Sequence, residues 1–387
     1  MESRRFNQVL AGTYFSYFAI LGVITPFLSL FLNHLGFSSL DIGKLLSLLT
    51  VSRIIGPNLW AMVADKQGER ERLIKMGSVF ACLTFVPIFW VESFWGLAGV
   101  LFAFSLFWSA ILPQLEVVTL SALEDKTRYG KIRAWGSGGF IFAVVAGGYL
   151  VETISPQVVP AITLALLGSL AITALVIPKR SAKREETKAS GNIWQLMFAP
   201  VFLGFFALTF LLQFSFGPYY GFFALYTRDL GYSATTTGVL VAIGVLAEIG
   251  MYLVGGKLIK RFGVKWILIV GTLLTTVRWL GTAWYAGNIA IFVLLQCLHA
   301  FSFALIQAAS VYFIQHYFPK QQQSRGQAIY IGAAYGGGGA LGAYFTGFVW
   351  QDGAGGSQAF LMAASAAVMA FVISLLLRHP VLAKPST

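Results

Sequence analysis

The chain has 387 residues, of which 57% are hydrophobic and only 11% charged, with a mean hydropathy of +0.75. Water-soluble domains carry about 25% charged residues, so a soluble enzyme or binding domain is excluded. Apolar stretches of about 20 residues recur, the length that crosses a bilayer core as a helix, and they predict an all-α integral membrane protein.

Twelve transmembrane helices are expected in chain order, near 9–33, 41–62, 73–91, 95–122, 131–151, 157–177, 198–226, 234–256, 265–286, 289–314, 326–349 and 357–377. With the N-terminus inside, 23 of the 27 Lys and Arg residues fall in inner loops and tails, among them Arg4, Arg5, Lys66, Arg72, Lys179 and Arg261, against Lys44 and Arg228 outside. This asymmetry places both termini in the cytoplasm. It also accounts for the formal net charge of +12 with no nucleic-acid partner. The first apolar run is too long for a cleavable signal peptide and is followed by further spans. Cys82 and Cys297 lie in apolar segments without metal or redox spacing and read as packing residues.

The polar segment "PKRSAKREETKASGN" (178–192) reads as a cytoplasmic linker between an N-terminal six-helix bundle (1–177) and a C-terminal one (193–387). The two halves repeat: "LNHLGFSSLDIGKLL" (32–46) matches "YTRDLGYSATTTGVL" (226–240) at a shift of 195, which superposes Gly36 on Gly231, Gly43 on Gly238 and Gly68 on Gly263. Parallel repeats of this kind mark transporters whose site lies at the midplane between two bundles.

After the second span, "AMVADKQGERERLI" (61–74) places Asp65, Lys66, Gly68 and Arg70 in a spacing that resembles the signature loop of the major facilitator superfamily, Gly-x-x-x-Asp-Arg/Lys-x-Gly-Arg-Arg/Lys, with Ala61 in place of the first glycine. Asp65, Gly68 and Arg70 are expected to form a conformational latch, in which Asp65 caps a helix end or pairs with an arginine in one state only. A fixed topology anchor is the plainer alternative. The corresponding loop of the second half, "GGKLIKRFGVK" (255–265), has Lys260 where the aspartate would stand.

Ionisable residues inside spans cost about 2.5–3.5 kcal/mol each on insertion scales if they face lipid, so they are expected to face the bundle interior. Five stand out: Arg53, Glu116, Glu248, Arg278 and His299. Arg53, Glu248, Arg278 and His299 count to the midplane, whereas Glu116 lies deeper toward the cytoplasm, level with Arg133. Arg53 and Glu248 are equivalent in the repeat, 195 residues apart and opposite in charge. Arg53, Glu116 and Arg133 are assigned to the substrate, and Glu248, Arg278 and His299 to a proton-responsive cluster. Static ion pairs holding helices in register are the structural alternative. Tyr14 and Tyr17 are candidates for substrate contact, because a phenolic hydroxyl in a bilayer seeks a polar partner. The glycine-rich stretches of spans 5 and 11 are expected to be sliding surfaces between the halves.

"YGKIRAWGSGGF" (129–140) and "PQLE" (113–116), with "SRIIGPNLW", "TVRWLG" and "CLHAFSFAL", resemble the phenylpropionate-permease group of the major facilitator superfamily, a relative of the lactose and nucleoside proton symporters. The resemblance implies a twelve-helix inner-membrane symporter working by alternating access. It implies that Glu116 and Arg133 match the substrate-binding carboxylate–arginine pair of lactose permease, with Phe140 in place of a stacking tryptophan. Arg278 and His299 match residues linked there with proton coupling. Ser302 stands where the proton-carrying glutamate would be and Gln296 where a lysine would be, while Glu248 lies about one turn further along its span. Arg53 resembles the phenylpropionate group, which carries a histidine where this chain has Gln307.

The expected function is proton-coupled symport of a small organic solute, preferably an aromatic carboxylate such as phenylpropionate, driven by the proton gradient with no cofactor or metal. The partners are the solute, protons and the lipid bilayer, and the expected state is a monomer. A sugar or nucleoside symporter is the alternative within transport, and a non-transporting membrane sensor lies outside it. A membrane enzyme is disfavoured, because the four histidines His34, His299, His316 and His379 assemble no nucleophile–base pair or metal cluster.

Overall fold

The computed structural model describes residues 2–67, 69–123, 128–178 and 193–383, without the side chains of 2–5, 61 and 64–67. Its regular elements among these residues are all helices, joined by short turns. The first half contains α1 (Glu2–His34), α2 (Ser39–Gln67), α3 (Arg70–Phe85), α4 (Phe94–Ser109), α5 (Ile111–Ala122), α6 (Tyr129–Thr153) and α7 (Val158–Leu175). The second contains the short α8 (Trp194–Met197), then α9 (Pro200–Ser215), α10 (Gly217–Asp229), α11 (Ala234–Tyr285), α12 (Ile289–Cys297), α13 (Ile306–Tyr317), α14 (Gln323–Ile329), α15 (Gly338–Trp350) and α16 (Gly356–Leu376).

Nine helical stretches among the described residues are long and apolar enough to cross a membrane. One of them, the 52-residue α11, joins two spans across Gly263, whose φ of 80° breaks the helix. Together with α2 and the α14–α15 stretch they make up the twelve expected spans. Span 4 breaks between α4 and α5 because Pro113 has no N–H to offer the carbonyl of Ser109. Pro218 breaks span 7 between α9 and α10 for the same reason. Spans 10 and 11 carry wide π-turns over Ala300–Leu305 and Tyr330–Gly337, an insertion frequent at functional sites.

The repeat is visible in backbone geometry. α1 ends on Gly36 at φ 86° and α10 on Gly231 at φ 85°, each in the left-handed region that favours glycine. The same pair of bonds closes both turns, Phe37 N–H to Leu32 O at 3.2 Å and Gly36 N–H to Asn33 O at 3.0 Å, against Tyr232 to Thr227 and Gly231 to Arg228, both at 2.9 Å. This is the Schellman cap, built twice at a shift of 195 residues.

The chain forms two compact units, Met1–Glu185 with Phe223–Val239, and Glu186–Phe222 with Leu240–Thr387. In the first, α1 packs on α6 and α7, and α2 on α4. The 223–239 segment joins this unit through Arg228, which donates to Asn33 Oδ1 at 2.6 Å, and through Glu152, whose carboxylate accepts the Thr235 N–H at 3.0 Å. In the second unit, α9 packs on α15 and α16 around a core that includes Phe205, Leu208, Ile306, Ala309 and Phe313.

Of the glycines expected at sliding surfaces, Gly148 of α6 abuts the backbone of Ala234 at the start of α11, in the second half of the sequence, while others pack spans of one half together. Gly139 of α6 abuts the backbone of Phe15 in α1, and Gly342 of α15 abuts that of Phe214 in α9. In each case a Cβ would strike the neighbouring main chain. Cys82 and Cys297 are free thiols.

Candidate functional site

In the first unit the assigned residues gather around Tyr17. This tyrosine is 6% exposed and lies within electrostatic reach of Arg53, Glu116 and Arg133. α5 and α6 present Glu116 and Arg133 to each other, but loosely. Arg133 Nε is 3.9 Å from Glu116 Oε1 and both side chains are about a third exposed, at 31% and 39%. The Arg133 guanidinium lies over Phe18 at 4.0 Å and, further off, over Tyr14 at 5.7 Å. Tyr14 is fully buried, and its hydroxyl accepts from Thr119 Oγ1 at 3.3 Å. Phe140 stands about one turn beyond Gly136 on α6, its backbone close against Gly22 of α1.

Arg53 is partly exposed and has no ion pair or hydrogen bond among the described residues; its Nε is buried without a partner. What it has is a ring. Its guanidinium sits 4.9 Å from the centre of Trp108, which in turn stacks on Tyr17 at 4.8 Å.

In the second unit the three residues assigned to protons form one connected chain of contacts. Arg278 is completely buried and His299 is 3% exposed. Arg278 Nη1 meets His299 Nδ1 at 2.7 Å, and His299 Nε2 meets Glu248 Oε1 at 2.5 Å. A guanidinium can only donate, so His299 Nδ1 must accept. The ring therefore carries its proton on Nε2 and donates it to the Glu248 carboxylate. Arg278 also donates to Ser302 Oγ at 3.3 Å and Gln296 Oε1 at 3.2 Å. Those are two of the positions at which the chain departs from the lactose-permease pattern, and here both serve Arg278. The rings of Tyr219 and Trp279 cover its guanidinium at 4.3 and 4.4 Å, and Trp279 is pinned by donating to Ser215 Oγ at 3.0 Å. His299 sits at the start of the π-turn of span 10. Gln307, the second residue of α13, accepts from the Tyr252 hydroxyl at 2.8 Å.

Of the expected latch, Gly68 and the Asp65 side chain lie outside the described residues. Arg70 donates to Gln114 Oε1 of α5 at 2.7 Å, a side chain only 2% exposed.

Sequence reasoning missed Trp108 and Trp279. The rule that singled out Tyr14 and Tyr17, that an aromatic with a polar handle inside a span needs explaining, applies equally to both tryptophans.

Residues 8–362 match the MFS_1 like family. The chain is 30% identical over 353 residues to the probable 3-phenylpropionic acid transporter of Escherichia coli strain K12, covering 88% of this chain and 90% of that protein. It is 28% identical over 356 residues to the maltose permease of Geobacillus stearothermophilus, covering 88% of each. Its fold matches a crystal structure of a mutant of the nucleoside transporter NupG with a TM-score of 0.88 at 18% identity, covering 97% of this chain and all of that one. With the spans, the repeat and these matches together, the chain belongs to the MFS_1 like family and is a multi-pass membrane transporter of the major facilitator fold, not an enzyme.

Proposed function

We propose that the protein is a proton-coupled symporter of a small aromatic carboxylate such as phenylpropionate. The observation that carries this reading is Arg53, a cation inside a span, open on one side and without a counter-ion among the described residues. A charge in that setting needs an anion, and the solute's carboxylate supplies one. Arg53 and Arg133 take the carboxylate through their forked N–H donors, and Tyr14, Tyr17 and Phe140 hold the ring. The relationship to a probable 3-phenylpropionic acid transporter supports the choice of solute.

Proton coupling resides in Glu248, His299 and Arg278. With Nδ1 of His299 occupied by Arg278 and Nε2–H directed at Glu248, a further proton is taken by the carboxylate, or else by Nδ1 once Arg278 withdraws. Either event weakens the His299 contact to one neighbour and changes the charge of the unit. That linkage is how proton binding biases alternating access, with the Asp65, Gly68 and Arg70 loop as the latch. On this reading the protein works as a monomer in a bacterial inner membrane, both termini cytoplasmic, powered by the proton gradient and without a cofactor.

A sugar or nucleoside symporter is the second reading. The open Glu116–Arg133 pair favours it, since a carboxylate and an arginine together suit a polyhydroxylated solute. Uptake of labelled phenylpropionate, lactose and uridine into proteoliposomes, with and without an imposed pH gradient, separates the two. Gradient-driven accumulation of phenylpropionate alone is the expected result. Accumulation of a neutral solute with phenylpropionate excluded establishes the second reading, and uptake indifferent to the gradient removes the coupling.

A further inference from the structure

Arg53 raises a question that its lack of a carboxylate partner leaves open, namely what holds a guanidinium in place inside a span. Taking a cation out of water costs several kcal/mol in real proteins unless something compensates it. Among the described residues no carboxylate and no hydrogen-bond acceptor does so. Apart from its open side, what Arg53 has is the face of Trp108, 4.9 Å away. Trp108 is 1% exposed and stacks on Tyr17 at 4.8 Å and 18° and on Phe104 at 5.7 Å and 15°, which fixes the plane of its ring. Its own indole N–H is buried without a partner. A phenylalanine would fill the same stack without leaving a donor unsatisfied. What tryptophan adds is the strongest aromatic face for a cation.

We infer that Trp108 is a positioning residue for solute selection: its ring, in place of a carboxylate, holds the Arg53 guanidinium, so that the site meets the solute as an uncompensated cation and takes a carboxylate in preference to a neutral molecule of the same shape. A ring differs from a carboxylate in the way that matters here, since it occupies none of the N–H donors. Those donors stay available for the solute. Arg133 and Arg278 are placed otherwise: Glu116 stands beside the first, and both terminal nitrogens of the second are engaged. This inference rests on the reading of Arg53 as the carboxylate receptor.

Titration calorimetry on the purified full-length protein tests it, with 3-phenylpropionate and its neutral amide as probes. The quantity read is the preference for the carboxylate over the amide, which a merely structural role of Trp108 would leave alone. Trp108→Leu is expected to cut that preference about tenfold, with Trp108→Phe, which keeps a weaker face, in between. Should the leucine variant fail to fold, tryptophan replaced by mono- and difluorinated analogues weakens the face without changing its shape. The preference then falls stepwise in the wild type and stays flat in Trp108→Phe. A preference unchanged by Trp108→Leu or by fluorination, while Arg53→Gln abolishes it, overturns the role of Trp108 and leaves Arg53 as the receptor. A wild type that binds the carboxylate no better than the amide overturns both.

Discussion

The two units handle the same problem, an arginine in a membrane span, in opposite ways. Arg278 is sealed, with no exposed surface, its two terminal nitrogens committed to His299, Gln296 and Ser302 and two rings over its face, although its Nε, like that of Arg53, is buried without a partner. Arg53 also lies on a tryptophan but keeps an open side and no acceptor, and neighbouring Arg133 has its carboxylate at a loose 3.9 Å. A closed network can pass protons and stabilise helix packing, but it has no room for a solute. An open cation is poor for stability and suited to binding. On the proposed reading the difference divides labour between the units: the second keeps its charges for itself and the first offers them.

The largest expected effect breaks the division from the closed side. Glu248→Gln keeps an acceptor for the His299 Nε2–H but removes the charge that a proton would neutralise. Gradient-driven accumulation should fall to the passive level, while solute exchange without a gradient stays within about threefold of wild type. Equal loss of both activities would return Glu248 to a structural or solute-binding role.

Stability sharpens the same contrast. Arg278→Leu leaves His299 Nδ1 and Gln296 Oε1 without their donor in a buried site. The expected cost is about 3 kcal/mol, as for breaking one side of a buried ionic network, read from the thermal unfolding midpoint in detergent. Arg133→Leu removes a half-exposed cation from a long contact and should cost under about 1 kcal/mol. Equal costs would mean that the Glu116–Arg133 pair is as structural as the other cluster.

Much of the site and most of the fold are legible in the sequence, for different reasons. Span lengths follow from the bilayer, and the charge-bearing residues stand out because each is expensive there. Arg53, Glu116, Glu248, Arg278 and His299 were found by cost alone. Their pairing was not, because a helix surrounded by lipid is apolar on every side and shows no polar stripe to reveal which face meets which neighbour. Hence the sequence groups Glu248 with Arg278 and His299 but does not show that its carboxylate meets His299 Nε2. Ser302 and Gln296 looked like losses against lactose permease because their use depends on where the Arg278 guanidinium ends. Trp108 was hidden by its own composition class, since an aromatic in an apolar run reads as packing until its neighbour is known to be a cation. The prolines that break spans 4 and 7 were visible, but the π-turns of spans 10 and 11 have no local sequence signal.

The last effect tests the symmetry of the two sequence halves, on which the comparison of Arg53 with Arg278 depends. Gly36 and Gly231 hold the same left-handed conformation, at φ 86° and 85°, with the same cap closing on residues 32 and 227. Neither has an atom within 4 Å of the place where a Cβ would stand, so alanine there meets no clash and the cost is purely that of the backbone. Gly36→Ala and Gly231→Ala should each destabilise by about 1 kcal/mol. Asparagine at either site should recover part of that loss, because its side chain tolerates the left-handed region. The two effects should match and, being in separate turns, should add in the double variant. A cost at one position and none at the other would show that the two turns no longer carry equal load. The unequal treatment of arginine in the two units would then be one instance of a wider divergence between the halves, and not an exchange of roles on a preserved frame.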